Sequence, residues 1–147
     1  MIDDNASVDE IRSAGSQPAR HLGALTDAEC LELLTRNELG RVGFTTNKGP
    51  QIYPVNYSMD RGTIVIRTSP YAGLYTSTGP VAFEIDEIDP VRRQGWSVLV
   101  VGTVAEIEDP DEAIQLRHQG GPEPWASGQR NVFVRITPRE ITGRRLA

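Results

Sequence analysis

Cysteine and histidine are scarce in this sequence, which has one cysteine, Cys30, and two histidines among 147 residues. A single thiol excludes an internal disulfide and any zinc or iron–sulfur site built from several cysteines. His21 and His118 are too few to complete a zinc site with three or four ligands. The sequence also lacks a P-loop and a G-x-G-x-x-G motif after a strand. The sequence therefore gives no support for the commonest metal sites or nucleotide-binding loops.

Lysine is scarce and long apolar runs are absent as well. Lys48 is the single lysine among the 15 basic residues, and the net charge is −5. An acidic chain is a poor nucleic-acid binder, because that affinity comes from neutralising phosphates. An anion site here would use arginine, whose guanidinium suits phosphate. No apolar run reaches the ~18 residues of a membrane span, and the first residues do not resemble a signal peptide. We therefore expect a cytoplasmic protein.

Apolar residues at a period of two predict a mainly β (α+β) fold. Residues 1–24 are polar and predict a disordered N-terminal tail, which leaves residues 25–147 as one folded domain. Two or three short helices and six or seven antiparallel strands would form a compact β-barrel with the helices at its rim. The strands are expected at residues 41–45, 51–58, 63–67, 81–86, 95–107, 131–137 and 140–146, with an exposed charged loop at 87–94.

The helices have clear sequence signals. Thr26 and Glu29 form a capping box, and the first helix should end before Gly40. Cys30 falls where it can pack against the residue before the cap, so we interpret it as a core residue rather than a reactive thiol. The second helix ends at about His118, which we interpret as a charge partner of the helix C-terminus rather than a catalytic base.

A polar cluster follows the third predicted strand, where Arg67 is followed directly by Thr68 and Ser69. A guanidinium, two hydroxyls and the backbone N–H groups of the next turn together match the oxygens of a phosphate dianion. The same pattern also fits a solvent-exposed arginine beside an ordinary turn. The alternate carboxylates Glu84 and Asp86 carry less weight, because such pairs on an exposed strand face are usually solvated.

Two further segments are candidates to line a ligand pocket. Pro54 interrupts the second strand, because proline has no N–H for the ladder, so a flat heteroaromatic ring could lie beside the residues that follow it. These residues are Val55, Asn56 and Tyr57. An edge strand that packs its tyrosine in the rim of the core would look the same. The long strand begins with Trp96 and Ser97, where the indole suits a core as well as a pocket.

Several segments resemble, in their order and spacing, the pyridoxamine 5′-phosphate oxidase-like, flavin-binding split-barrel proteins. The resemblance covers residues 25–146, nearly the whole predicted domain. The segments that carry it are Gly40–Phe44, Pro54–Tyr57, Ile66–Thr68, Val81–Asp86, Gly95–Val98 and Ile141–Arg145. Each segment is short, and their order along the chain makes the match specific.

The resemblance implies a split β-barrel homodimer with two FMN sites at the interface between the subunits. It implies that the strand end and the loop after it hold the FMN phosphate, through Arg67, Thr68 and Ser69. It also implies that the isoalloxazine ring is lined by Val55, Asn56 and Tyr57, with Trp96 and Ser97 near the ring in the same cavity. The flavin itself would carry out the redox chemistry on a small organic substrate.

One departure from the family pattern concerns the phosphate loop, where Gly73 stands at a position that is often lysine. The missing cation removes a charge-assisted contact of ~1.5–3 kcal/mol, which Arg130 or Arg145 could replace. Two alternatives stay open, a deazaflavin coenzyme in the same fold and a ligand-binding dimer without turnover. Haem binding would depend on His118 as the axial ligand. The C-terminal substrate-binding motif of authentic pyridoxamine phosphate oxidases has no counterpart here, so vitamin synthesis is not expected.

Overall fold

The computed structural model describes residues 22–68, 73, 74, 77, 79–118, 121 and 132–146. Among these residues the chain forms seven strands and two helices, which are β1 Leu22–Ala24, α1 Asp27–Arg36, β2 Leu39–Thr46, β3 Gly49–Asp60, β4 Thr63–Thr68, β5 Pro80–Asp89, β6 Gln94–Glu106, α2 Pro110–His118 and β7 Val132–Leu146. All the strand pairs are antiparallel. The predicted mainly β split barrel is confirmed.

The sheet curls into a barrel whose strands are strongly staggered. The strands lie in the order β1-β7-β4-β3-β2-β5-β6, and β6 pairs in turn with β7 to close the circle. Arg67 of β4 lies opposite Phe133 of β7, whereas Ser97 of β6 lies opposite Arg144, near the other end of β7. Closing a sheet of few strands requires this kind of stagger. The two ends of β7 therefore meet different regions of the barrel.

Inward-facing side chains from the long strands fill the barrel. Successive strand residues point to opposite faces, so burial alternates along β2 and β5. Val65 and Phe133 are buried as well, because they pack with Leu116 of α2. The fully buried side chains include Ile64, Ile66, Phe83, Val98 and Val100. The core is continuous through the barrel, which leaves the outer faces and the gaps between strands as places for a ligand.

Helix α1 forms as predicted. The Glu29 N–H donates to Thr26 Oγ1 at 3.2 Å, and the Thr26 N–H donates to Glu29 Oε1 at 3.0 Å, which completes the capping box. The helix ends at Arg36, before Gly40. Cys30 is fully buried, and burial raises the pKa of its thiol, so its interpretation as a core residue is confirmed. Neither described helix is long and apolar enough to cross a membrane.

Two predicted boundaries are wrong by a few residues. Strand β1, Leu22–Ala24, pairs with the end of β7, so folded structure begins inside the segment 1–24 that was predicted as a tail. The remainder of that segment lies outside the described residues. The predicted loop 87–94 is shorter than expected, because β5 continues to Asp89 and β6 begins at Gln94.

The last two predicted strands are one strand, β7. An irregularity in its pairing with β6 lies opposite the step from Val101 to Gly102. A Cβ on Gly102 would lie 2.3 Å from the Thr137 carbonyl oxygen. Glycine therefore permits the close approach of the two backbones at this bulge, and Pro138 falls where the ladder is irregular.

Candidate functional site

An opening between β3 and β4 brings two of the predicted clusters together. The register of the two strands reaches Tyr57 opposite Ile66, and no further residue pair joins them in the described part of the chain. Beyond that point β3 continues along β2. Val55–Asn56 and Arg67–Thr68 therefore flank the point where the strands part. Pro54 lies in the stretch of β3 that pairs on one side, as its missing N–H favours.

The Arg67 guanidinium lies over an aromatic ring on the outer face of β4. Its Cζ is 5.6 Å from the ring centroid of Phe133, the residue opposite it on β7. Arg117 of α2 approaches the same ring, with its Cζ 6.0 Å from the centroid. Both distances are within the range of cation–π attraction. Two guanidinium groups thus lie within cation–π range of the same ring at the predicted phosphate end of the site.

Thr68 follows Arg67 but faces the other way, because side chains alternate along a strand. Its side chain is 6% exposed and belongs to the inner side of the barrel. Arg67 is therefore the charged side chain that this strand end presents outward. Ser69, the third residue of the predicted phosphate cluster, lies outside the described residues, so its role stays a prediction.

The backbone at Gly73 accounts for the missing lysine of the phosphate loop. Its φ angle is +78°, in the left-handed region that favours glycine. A lysine at this position would strain the backbone. The next residue, Leu74, is 1% exposed and packs in the core. This loop position is therefore shaped by conformation, and it supplies no cation.

The three β3 residues of the predicted ring pocket do not share a face. Asn56 faces outward, and its Nδ2 donates to the Glu38 carbonyl at 3.4 Å. Val55 packs against the core. Tyr57 is 2% exposed, and its hydroxyl donates to the Leu34 carbonyl at 2.6 Å. Burial raises the pKa of the Tyr57 phenol well above its usual range. Tyr57 is therefore a core residue that presents almost no surface to a ligand.

Trp96 and Ser97 lie on a different part of the barrel. They pair with Arg145 and Arg144 of β7, and four steps from strand to strand separate them from Arg67 by way of β3, β2 and β5. At ~4.8 Å per step the path is roughly 19 Å around a packed barrel. The route through β7 runs eleven residues along that strand. One chain thus does not bring Trp96 and Ser97 to Arg67.

Trp96 instead borders an open cleft of about 330 Å³ at the end of β5 and β6. The other residues that line this cleft are Glu87, Asp89, Gln94, Gly95, Arg145 and Leu146. Arg145 Nη2 lies 3.7 Å from Glu29 Oε2, so a carboxylate already faces this arginine. Arg145 is therefore poorly placed to replace the missing lysine near Arg67.

A charge cluster lies on the outer face of β2 and β5, where the sequence alone predicts only solvated carboxylates. Arg41 Nη1 donates to Glu84 Oε1 at 2.9 Å and to Asp86 Oδ2 at 3.1 Å. Burial, helped by the hydrogen bond and charge of Asp86, raises the pKa of Glu84 to about 7, although Arg41 acts in the opposite direction. The spacing of the two acids places them on one face, but their cation comes from another strand.

Exposed apolar side chains surround this cluster. The exposed fractions of Ile52, Leu39 and Leu99 are 71%, 43% and 39%, and the strand registers place all three on the outer face that carries the cluster. Gly43 and Ala82 lie between them, opposite each other on β2 and β5. No bulky side chain therefore projects from the middle of this surface. We call it the outer apolar face. Exposed apolar patches of this kind mark interaction surfaces.

Comparisons with known proteins agree with this architecture. The sequence profile of the pyridoxamine 5′-phosphate oxidase family matches residues 26–145. The uncharacterized protein Rv0080 of Mycobacterium tuberculosis is 35% identical over 142 residues, which cover 92% of this chain and 92% of that protein. Both matches include the β3–β4 opening and the outer apolar face.

Two solved structures are also similar. A candidate pyridoxamine 5′-phosphate oxidase from Corynebacterium glutamicum is 35% identical, with a TM-score of 0.72 and coverage of 84% of this chain and 92% of the other. The FAD binding protein from Mycobacterium smegmatis is 29% identical, with a TM-score of 0.64 and coverage of 85% and 98%. Since the family profile spans residues 26–145, this chain belongs to the pyridoxamine 5′-phosphate oxidase family.

Proposed function

We propose that the protein is a flavin-binding oxidoreductase of the cytoplasm that uses FMN and acts on a small organic substrate. The observation that carries the proposal is the position of Arg67–Thr68 beside Val55–Asn56 at the opening between β3 and β4. A cation next to a polar strand edge suits the phosphate and the ring of a flavin. The similar Mycobacterium smegmatis protein is a FAD binding protein, which supports flavin as the cofactor class.

The side chains at the opening have distinct roles in this proposal. Arg67 binds the phosphoryl group by charge, and the Phe133 ring beside it limits the positions that its guanidinium can take. Thr68 contributes backbone groups of the strand end, since its side chain belongs to the inner side of the barrel, and Ser69 contributes its hydroxyl. Asn56 offers an amide that can donate and accept at the edge of a ring. The bound flavin supplies the electron transfer itself.

We also propose that two copies of the chain form a homodimer and that each flavin contacts both. Along the sheet, the three strands β3, β2 and β5 lie between Arg67 and the pair Trp96 and Ser97, so in this proposal a flavin held at Arg67 meets them on a partner. Ser97 lies opposite Asp86 at the border of the outer apolar face. A second copy docked on this face would cover Ile52 and Leu99, and a self-complementary contact of this kind is the commonest in homodimers.

The cofactor is tested on the purified protein. We expect an absorbance spectrum with flavin bands, and mass spectrometry of the material released by denaturation should identify FMN. Arg67→Gln should weaken FMN binding about tenfold or more, because a charge-assisted contact is lost. The control Arg36→Gln changes an exposed arginine of α1 that pairs with Glu32 of the same helix and should bind FMN normally. A colourless protein that also ignores added FMN would refute the proposal.

The dimer is tested by its mass in sedimentation. Ile52→Glu places a charge on the outer apolar face and should produce a monomer with weakened flavin binding. The control Val91→Glu changes a side chain that is 89% exposed in the turn between β5 and β6. It should leave the dimer intact. A wild-type monomer that binds flavin fully would show that one copy is sufficient.

Experiments on the same purified protein distinguish two alternatives to an FMN-dependent oxidoreductase. Thermal stabilisation by a deazaflavin coenzyme but not by FMN would indicate the deazaflavin-dependent reductase. The motive for this alternative is the loop at Gly73, which provides no cation for the phosphate. A bound flavin that nicotinamide donors do not reduce, and that is never reoxidised with a substrate, would indicate a binding protein without turnover.

A further inference from the structure

We infer that Arg117 of α2 is a second phosphate-binding residue and that it forms, with Arg67, a two-guanidinium clamp on the phosphoryl end of the cofactor. This inference deepens the proposed function and depends on it. Its basis is the shared aromatic ring, since the two Cζ atoms lie 5.6 and 6.0 Å from the centroid of Phe133. A phosphoryl group has enough oxygens for two guanidinium forks.

Helix α2 holds Arg117 in a defined place. The neighbouring Leu116 is 8% exposed and packs with Phe133 and Val65 on the outer face of the sheet. The helix end is also fixed, because the Gly121 N–H donates to the Leu116 carbonyl at 2.6 Å. A Cβ on Gly121 would lie 2.4 Å from that oxygen, so glycine is required for this turn. The guanidinium therefore starts from a fixed point beside the Phe133 ring.

A second contact holds the other end of the helix. Arg135 of β7 donates to Asp60 Oδ2 at 2.9 Å and also binds Glu112 of α2. The Arg135 side chain is 21% exposed, so this bridge is partly shielded from water. Both ends of α2 are thus tied to β7, the strand that carries Phe133. These contacts therefore fix the position of α2 relative to the end of the strand that carries Arg67.

The charges around Arg117 favour an anion. Arg117 forms no ion pair with any residue that the structure describes, and its nearest aromatic partner already has Arg67 beside it. A phosphoryl group bound near this ring would attract both guanidinium groups. The chain as a whole is acidic, with a net charge of −5, so this pairing of cations is a local feature.

The clamp also supplies the cation that the loop lacks. Gly73 has no side chain, and Arg145 is on another part of the barrel with Glu29 facing it. Arg117 is the described arginine that shares an aromatic contact with Arg67. The chemistry it recognises is a phosphoryl group attached to a flavin, which FMN offers once and FAD offers twice.

The test compares three ligands on the purified protein, after removal of any bound flavin. Fluorescence titrations with FMN, FAD and riboflavin measure how much of the affinity depends on phosphate. We expect Arg117→Gln to weaken FMN or FAD binding about tenfold or more and to leave riboflavin binding unchanged. Arg117→Lys should recover part of the loss. A larger effect on FAD than on FMN would place Arg117 at the second phosphate, and equal effects would place it at the first.

The matched control is Arg36→Gln, since Arg36 also is an exposed arginine in the last turn of a helix. It removes the same favourable interaction with a helix C-terminus without touching Phe133. If wild-type protein binds FMN and Arg117→Gln binds it equally well, the clamp is refuted and the proposed function stands. An equal loss for riboflavin would also refute the clamp, because the arginine would then act through packing. A wild-type protein that binds no flavin refutes both.

Discussion

The Tyr57 hydroxyl donates a hydrogen bond of 2.6 Å to the Leu34 carbonyl and thereby joins β3 to the last turns of α1. Leu34 is fully buried, and the Tyr57 ring packs edge-on against Phe83 with 4.8 Å between the centroids. A carbonyl near the end of a helix has no partner within the helix. Tyr57 supplies that partner, so within one chain its function is to hold the helix on the barrel.

Removal of this hydroxyl should destabilise the protein without affecting its ligand site. Tyr57→Phe keeps the ring and leaves the buried Leu34 carbonyl without its donor, at a cost of about 1–2 kcal/mol in the free energy of unfolding. Denaturant unfolding measures the loss. Flavin affinity, measured well below the melting temperature, should be unchanged. A weaker flavin affinity with normal stability would instead indicate that Tyr57 contacts the ligand.

Close packing between β7 and α1 yields a second prediction. A Cβ on Gly143 would lie 2.6 Å from Cys30 Sγ and 2.8 Å from Leu25 Cδ1. Gly143→Ala should therefore destabilise the protein by about 1–3 kcal/mol, as overpacked cores do. Gly23→Ala is the control, since no atom lies within 4 Å of a Cβ there. Thermal melts of the two variants measure the difference, and equal melting temperatures would contradict the packing at this contact.

The bridge through Arg135 should hold α2 in place. Arg135→Gln leaves Asp60 and Glu112 facing each other without the cation that joins them. Because the arginine is partly buried and hydrogen-bonded, we expect a loss of about 1–2 kcal/mol and faster amide exchange in α2. Arg139→Gln, at an exposed position of the same strand, should have neither effect. Unchanged exchange in α2 would show that Leu116 packing alone is enough to dock the helix.

Local signals were sufficient for most of the secondary structure. The capping box, the period of two and the proline at Pro54 depend on neighbours within a few residues, and each was found where the sequence indicated it. Gly40 shows what such signals leave out. It lies beyond the end of the first helix, as the sequence indicates, but a Cβ there would also lie 2.4 Å from Phe83 Cζ. Glycine is required at this position because Phe83 of β5, which is distant in the sequence, packs against it.

Local signals also explain why only part of the candidate site could be predicted from the sequence. Arg67 and Asn56 are conspicuous in their own segments, and the register of β3 and β4 brings them together. Because successive side chains of a strand point to opposite faces, the sequence itself implies that Tyr57 faces away from Asn56. Arg117 carries no signal in the sequence, because its relation to Arg67 depends on Phe133 and on how α2 docks.

Glu84 should make stability depend on pH. Its pKa is raised from 4.5 to about 7, chiefly by burial and then by the hydrogen bond and charge of Asp86. The folded protein thus binds this proton more tightly than the unfolded chain does. The contribution to stability is complete below about pH 4.5 and is lost as the pH rises to about 7. The side chain is 33% exposed, so solvent screening limits the effect.

Glu84→Gln tests this directly, because an amide does not titrate in this range. Unfolding free energies of wild type and variant, measured from pH 4.5 to pH 8, should differ in a way that favours the variant increasingly as the pH rises. The trend arises because only the wild type must ionise a shielded carboxyl. Glu140→Gln removes an exposed carboxylate from β7 and serves as the control. Parallel pH profiles for wild type and Glu84→Gln would mean that Arg41 keeps Glu84 ionised throughout.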